Sequence, residues 1–235
     1  MHAHHTFETF HSYDGNRFAL EAARAIVLAP ETAPNPLVFY GPHSTGKTHL
    51  LHAIENLLRS RNPNMKIAAL NTDEFISYLL QGLMRDRMDH FYAKFHGADY
   101  FLLDDLHLLD GKESSQLIFC EILQQLMVKG TKIVLTTSIH PDTFAASKTP
   151  LPDIPSFSVF PIALPDAEAC FAIAHSKAKD LGLRLEDELL HFICSYSSNA
   201  RQIEGFLRRI LAYRDFQLLP FTTENLKNAL LKDAP

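Results

Sequence analysis

The 235-residue sequence lacks any apolar run long enough to cross a membrane. A transmembrane helix needs about 20 consecutive, mostly apolar residues. The N-terminus also lacks the basic stretch followed by an apolar stretch that is typical of a signal peptide. These absences exclude a membrane-spanning protein and predict a cytoplasmic one.

Positive charge is also in short supply, with 22 Lys and Arg against 27 Asp and Glu, a formal net charge of −5 and a pI near 6.2. This balance argues against wholesale electrostatic binding to nucleic acid, so any DNA contact is expected at a local basic face. An apolar content of 46% excludes a disordered chain and is enough for one large or two small domains.

Cysteine is scarce, and three of the 13 histidines lie within the first five residues. The three widely spaced cysteines, in apolar or helical contexts, predict buried thiols in a reducing compartment rather than a metal or redox site. Imidazoles at a chain end without further ligands predict a frayed terminus rather than an ordered metal site. The residues concerned are Cys120, Cys170, Cys194, His2, His4 and His5.

The most informative motif is a phosphate-binding loop of the form G-x-x-x-x-G-K-[ST], directly behind an apolar segment at residues 37–40. Such a loop turns backbone N–H groups onto phosphates, its Lys reaches the outer phosphates and its hydroxyl binds Mg²⁺. The helix that follows directs the positive end of its dipole at the anion. The sequence therefore predicts a site for ATP or ADP with Mg²⁺, formed by Gly41, Pro42, His43, Ser44, Thr45, Gly46, Lys47, Thr48 and His49.

Strand-like and helix-like patterns alternate over the first 165 residues. Continuous apolar strands separated by helices predict an α/β class with a doubly wound, parallel, five-stranded sheet, which we assign to a domain at 1–165. Four helical patterns then predict a small α-helical lid domain at 166–235, and the Pro-rich residues 149–155 predict a loop. The strands are expected at 37–40, 66–70, 100–103, 133–136 and 159–164, and the helices at 48–59, 73–95, 114–128, 166–181, 186–196, 199–213 and 223–231.

Two further strands end in polar residues. Asp104 and Asp105 end an apolar strand in the form of a Walker B motif, in which Asp104 with Thr48 would hold Mg²⁺ and Asp105 would position and deprotonate water. For Asp104 and Asp105 considered without the phosphate-binding loop, the alternative is a strand that simply ends in a polar turn. The next strand ends in hydroxyls, and either Thr137 or Ser138 is expected to sense the γ-phosphate.

Arg201 lies at the start of a predicted helix, with Asn199 and Gln202 in the spacing of a capping box. Arg201 and Arg208 are one heptad apart, opposite the apolar face of this helix. The pattern predicts two cations available to phosphate, with a solvated basic face as the alternative.

In these motifs the chain resembles the AAA+ module of the bacterial DnaA/Hda family, over nearly its whole length. The resemblance implies that Arg201 is the sensor II arginine, that residues 10–16 cover the adenine, and that the chain acts in control of replication initiation. It is carried by residues 6–10, 35–37, 46–54, 104–109 and 199–205, together with Asn16 and Arg17.

Three departures from the family pattern modify these expectations. The sequence stops at Pro235 without the family's helix-turn-helix domain, so duplex DNA binding is not expected. It holds no Arg between Arg87 and Arg184, and Lys148 is a poor substitute for an arginine finger, so a weak ATPase is expected. Residues 75–95 correspond to the family's insert that contacts single-stranded DNA. The positions that are basic in the family are occupied here by Gln81, Tyr92 and Ala93, so at most weak contact with single-stranded DNA is expected.

The sequence thus predicts a nucleotide-dependent switch that binds replication proteins, with slow or no hydrolysis. A full-length initiator, a sliding clamp or a helicase would be the partner. Two alternatives remain: a helicase-loader ATPase of the DnaC/IstB type and a single-stranded-DNA-binding regulator.

Overall fold

The computed structural model describes residues 5–141, 157–216, 218 and 221–232. The contacts divide the chain into two compact units, the first containing residues 5–10 and 14–163 and the second containing residues 11–13 and those from 164 onward. Some residues of the sequence predictions lie outside the described residues, namely the connector 149–155, Lys148, His2 and His4. Among the residues that are described, no helix has the length and apolar character required to cross a membrane.

The first unit is built on a sheet of five strands in the order β2-β3-β4-β1-β5, with every described pairing parallel. This confirms the predicted doubly wound α/β class. The chain leaves β1 for the far edge at β2, returns through β3 and β4, and then crosses to β5 on the other side of β1. The strands are β1 (Leu37–Tyr40), β2 (Ile67–Asn71), β3 (Tyr100–Asp104), β4 (Lys132–Thr137) and β5 (Ser158–Pro161).

Helices cover both faces of this sheet, because successive side chains of a strand point to opposite sides. Phe101 and Leu103 of β3 pack into one apolar cluster, whereas Tyr100 and Leu102 pack into the other. The helices of this unit are α1 (Arg17–Leu28), α2 (Lys47–Arg61), α3 (Thr72–Met84), α4 (Met88–Ala93) and α5 (Glu113–Val128), with a 3₁₀ turn at Leu106–Leu109.

Two sequence predictions in this unit need correction, and one helix was missed. The helix predicted at 73–95 is two helices, because the chain turns at Arg85–Arg87, where Asp86 has a positive φ of 51°. The strand predicted at 159–164 ends at Pro161, which pairs with Tyr40, the last residue of β1. Helix α1 was not predicted, although its buried Ala19, Ala23 and Ile26 have helical spacing.

The second unit has a helical core of its own. Its helices are α6 (Ala167–Asp180), α7 (Asp187–Ser195), α8 (Ala200–Asp215) and α9 (Thr223–Lys232). Apolar residues from all four helices meet in one buried cluster that includes Ile173, Leu190, Ile203 and Leu226. The α-helical character predicted for this part of the chain is confirmed.

Candidate functional site

The loop between β1 and α2 depends on two glycines. A Cβ at Gly41 would lie 2.1 Å from the carbonyl oxygen of Ile162, so only glycine allows the ends of β1 and β5 to approach this closely. Gly46 has a φ of +103°, and a Cβ there would lie 2.9 Å from the Phe10 ring. Within the loop, the Thr45 hydroxyl donates to the Pro42 carbonyl at 3.0 Å, and Ser44 has a positive φ of 63°.

Lys47 is buried at the N-terminus of α2, with 5% of its surface exposed. Its ammonium donates 2.7 Å hydrogen bonds to the carbonyl oxygens of Gly41 and Pro42. Burial lowers the pKa of Lys47, while the nearby carboxylates of Asp105 and Asp104 act in the opposite direction. The loop carbonyls therefore surround the Lys47 ammonium at the N-terminus of α2. Both this positive charge and the helix dipole favour the binding of an anion there.

Asp104 is 8% exposed and joins the loop to the sheet. Thr48 donates a 2.7 Å hydrogen bond to its Oδ2, and Thr136 donates to its Oδ1. The Thr72 hydroxyl donates to the Asp104 backbone carbonyl at 3.0 Å. The bonds from Thr48 and Thr136 hold the carboxylate in one orientation, and the bond from Thr72 fixes the backbone beside it.

Thr136 is a site residue that the sequence prediction missed. Its hydroxyl also accepts a 2.9 Å hydrogen bond from the backbone N–H of Asp105, so it orients both acidic residues. The register of the sheet pairs Leu103 with Leu135, which places Asp104 beside Thr136. Knowledge of that register would have identified Thr136, because side chains at paired positions of neighbouring strands share a face.

Asp105 lies directly beyond β3 in a left-handed conformation, with φ 57° and ψ 46°. Burial, followed by the charge of Asp104, raises the pKa of Asp105, and His107, Lys47 and His43 oppose that rise. A raised pKa increases the ability of a carboxylate to accept a proton near neutral pH. The site thus brings Lys47, Thr48, Asp104 and Asp105 together.

The two sensor candidates at the end of β4 have different environments. Thr137 is fully buried, and its hydroxyl donates to the Ile139 carbonyl at 3.0 Å and accepts from the Ile139 N–H at 3.2 Å. The Ser138 backbone N–H donates to Nδ1 of His107 at 3.3 Å. Local bonding therefore occupies the Thr137 hydroxyl, while the Ser138 backbone contacts the turn that carries Asp105.

His49 faces the N-terminal strap, which we define as residues 5–10. Its Nε2 donates to the Thr6 carbonyl at 2.8 Å, and its ring stacks on His5 with centroids 4.6 Å apart. Phe10 meets the same ring edge-on at 5.3 Å. His49 thus fixes the strap, whose Phe10 also covers Gly46.

Arg201 belongs to the second unit, where it is exposed in the first turn of α8. The Asn199 side chain caps this helix by accepting the N–H groups of Arg201 and Gln202, each at 3.1 Å. The Gln202 side chain accepts the N–H of Ser198 rather than that of Asn199, so the predicted capping box is displaced by one residue. The guanidinium of Arg208 forms a 2.7 Å ion pair with Glu204, but the side chain is 65% exposed, so its availability to phosphate stays a prediction.

The helices α3 and α4 correspond to the predicted insert. The ammonium of Lys94 lies 3.2 Å from the centre of the exposed Tyr78 ring. Tyr92 is only half-exposed, and its hydroxyl donates to Glu121 at 3.1 Å. Gln81 and Ala93 are exposed, as is the turn between the helices.

The cysteines are free thiols, with Cys120 and Cys170 buried and Cys194 half-buried. Burial raises the pKa of Cys120 to about 11, and it raises that of Cys194 to about 11 as well. A thiol with so high a pKa is a poor nucleophile at neutral pH. The described residues thus place two of the three thiols in apolar cores, as predicted.

Comparison with known proteins identifies the family. Residues 1–151 match the model of the bacterial DnaA ATPase domain. The chromosomal replication initiator protein DnaA of Pelobacter propionicus is 32% identical over an alignment of 232 positions, and the match covers 96% of this chain and 52% of that protein. The chain therefore spans about half the length of this curated relative.

Solved structures agree with this result. Domain III of the Thermotoga maritima DnaA has a TM-score of 0.90 and 26% identity, covering 100% of this chain and 98% of that one. A replication initiator DnaA bound to AMPPCP and single-stranded DNA has a TM-score of 0.85 and 27% identity, covering 98% of this chain and 69% of that one. From the family match and the shared fold, we conclude that this chain belongs to the bacterial DnaA ATPase-domain family of AAA+ proteins.

Proposed function

We propose that this chain binds ATP or ADP with Mg²⁺ and uses the bound nucleotide as a switch in the initiation of chromosomal replication or in its control. The observation that carries the proposal is the hydrogen bond from Thr48 to Asp104 beside the buried Lys47. It joins the start of α2 to the end of β3, which are the two elements expected to contact phosphate and metal. The AMPPCP bound by a similar DnaA supports this assignment.

The oxygen atoms that would bind the metal fit Mg²⁺, which prefers oxygen ligands such as carboxylates and hydroxyls. Thr48 Oγ1 and Asp104 Oδ2 are such oxygens and lie 2.7 Å apart. Bound Mg²⁺ would neutralise developing negative charge on the phosphates. Lys47 would contribute a second positive charge, and loop N–H groups would bind phosphate oxygens.

Asp105 is the proposed acceptor of the proton from an attacking water. Its raised pKa and its position one residue beyond Asp104 suit that role. Hydrolysis is expected to be slow, because the sequence contains no Arg between Arg87 and Arg184. An arginine finger accelerates comparable phosphoryl transfers by about 10³ to 10⁵.

We also assign Arg201 of the second unit to nucleotide sensing, and we place the domain boundary near residue 165.

Ser138 is the better proposal for the sensor at the end of β4, because the Thr137 hydroxyl is already hydrogen-bonded to the backbone of Ile139. The partner would be another replication protein that distinguishes the ATP form from the ADP form. An initiator, a clamp and a helicase are the candidates.

The experiment that tests this function is nucleotide binding by calorimetry, with ATP and ADP, in Mg²⁺ and in EDTA. Lys47→Ala should abolish binding, whereas Lys129→Ala, at an exposed position after α5, should leave it unchanged. Phosphate release measured on the same samples gives the turnover rate. Absence of binding by the wild-type chain would refute the proposal.

Single-stranded DNA binding is a second candidate, favoured by the DNA-bound DnaA structure and by the Lys94–Tyr78 contact. Aromatic rings and cations together form platforms on which bases stack. Fluorescence anisotropy with labelled oligothymidine at two salt concentrations would test it. Lys94→Ala should weaken binding, and Lys129→Ala should not; equal affinities for both variants and the wild type would exclude this surface.

A further inference from the structure

His107 lies in the 3₁₀ turn that follows Asp105, and its side chain is 14% exposed. The sequence prediction assigned it no role. Its ring contacts three parts of the site at once: the end of β4, the acidic turn and the phosphate-binding loop. These contacts are the Ser138 N–H at 3.3 Å, Asp105 Oδ1 at 4.0 Å and the His43 ring with centroids 5.6 Å apart.

The contact with Ser138 fixes the protonation of the imidazole. A backbone N–H is only a donor, so Nδ1 of His107 must supply a lone pair and carries no proton. The neutral ring then holds its proton on Nε2. Burial lowers the pKa of His107, which favours this neutral form, and Asp105 is the main group acting against it.

Protonation of Nδ1 would change the hydrogen bonds of the His107 ring. The Ser138 N–H would lose its acceptor, and the new N–H would lie next to Asp105. The charged and titratable groups that face the ring are Asp105 and Asp104 at the end of β3, His43 in the loop and Lys47 at the start of α2. The ring thus lies between the proposed sensor residue and the proposed base, and it would form an ion pair with the base only when protonated.

We propose that His107 is a positioning residue that couples the backbone at Ser138 to the phosphate-binding loop and, through the turn that begins at Asp105, to the backbone that carries the Asp105 carboxylate. Its unprotonated Nδ1 holds the end of β4, and its edge-on contact holds His43. A change at Ser138 on binding of a γ-phosphate is thereby transmitted to Asp105. This inference rests on the proposed nucleotide function, but the His107–Ser138 coupling can be tested without nucleotide.

The first test uses NMR on the full chain without ligand. The ¹⁵N signals of His107 should show Nδ1 without a proton and Nε2 with one, and the Ser138 amide should exchange slowly with solvent. A proton on Nδ1 at neutral pH would overturn the proposal.

The second test compares His107→Asn with His107→Leu, two side chains of similar size. Asn offers an oxygen close to the position of Nδ1, whereas Leu offers no acceptor. Ser138 amide exchange should be retained at the wild-type level in the Asn variant and accelerated about tenfold in the Leu variant, as loss of about one hydrogen bond implies. Equal exchange in the two variants would overturn the proposal.

The third test measures ATP and ADP affinities of the same proteins. His107→Leu should lose about tenfold in preference for ATP over ADP relative to wild type, and His107→Asn should restore it. Unchanged preference in His107→Leu would overturn the coupling to nucleotide. Failure of the wild-type chain to bind either nucleotide would refute the proposed function instead, and the NMR results would remain as a separate test of the His107–Ser138 contact.

Discussion

The hydroxyl of Thr48 donates a 2.7 Å hydrogen bond to Oδ2 of Asp104, across 56 positions of sequence. The bond joins the first turn of α2 to the carboxyl end of β3. Both groups are oxygen ligands of the kind that Mg²⁺ selects. The position of each thus depends on the other before any ligand arrives.

This pairing predicts the effect of Mg²⁺ on nucleotide binding. Thr48→Val removes the hydroxyl and keeps the shape, so the stabilisation by ATP should no longer depend on Mg²⁺. At a nucleotide concentration 100 times Kd, the wild type should gain about 2.7 kcal/mol in unfolding free energy. Denaturation with Mg²⁺ or EDTA measures this gain, and Thr48→Ser should retain its dependence on Mg²⁺. A Val variant that behaves like wild type would contradict the role of Thr48.

Thr136 gives a prediction about stability. It is fully buried and bonds both the Asp104 carboxylate and the Asp105 N–H. Thr136→Val leaves those groups without this partner, which should cost about 1–3 kcal/mol in unfolding free energy. Thr136→Ser keeps the hydroxyl and should lose only about 0.8 kcal/mol for the deleted methyl group. Urea denaturation checks the order, and equal losses would argue against the network.

Substitution of alanine at two glycines should change the unfolding free energy in opposite directions. Gly41→Ala places a Cβ 2.1 Å from a backbone oxygen and should cost at least about 2 kcal/mol, because neither main chain can yield without breaking the β1–β5 pairing. Gly205 lies within α8, and a Cβ there meets nothing within 4 Å, so Gly205→Ala should gain up to about 1 kcal/mol. Denaturation of both variants tests the close approach at Gly41; a neutral Gly41→Ala would contradict it.

Glu55 predicts a dependence of stability on pH. A hydrogen bond from His52, with a further contribution from Arg59, lowers the pKa of this carboxyl against the effect of burial. Because the folded-state pKa is lowered, the stabilisation is present above the ordinary Glu value and is lost as the pH falls through the folded-state pKa. Glu55→Gln should lower the unfolding free energy at pH 7 by about 1–3 kcal/mol, a difference that narrows below about pH 4.

The control for this prediction is Glu31→Gln, at an exposed position. It should show little change at either pH, because substitutions at exposed positions usually change the free energy of unfolding by less than about 0.5 kcal/mol. Melting curves of the two variants between pH 3 and pH 7 supply the comparison. A Glu55→Gln deficit that persists unchanged in acid would show that packing, rather than charge, stabilises this position.

The insert illustrates where sequence periodicity fails. Apolar residues continue at helical spacing through residues 75–95, so one long helix was predicted. The break at Asp86 depends on a left-handed backbone conformation and on the N–H of Arg87 bonding to the Gly82 carbonyl at 2.9 Å. The Glu204–Arg208 ion pair is different, because its i, i+4 spacing within one helix could have been predicted from the sequence.

The sequence by itself determined the alternation of strands and helices, the phosphate-binding loop and the two adjacent carboxylates, because each depends on local residue pattern. Only the tertiary structure decided that Thr136 bonds both Asp104 and Asp105, and that His107 bonds the Ser138 backbone. These contacts join residues about 30 positions apart through the parallel register of β3 and β4 and the turn beyond β3. A register of that kind arises from packing across the sheet, which no local pattern specifies.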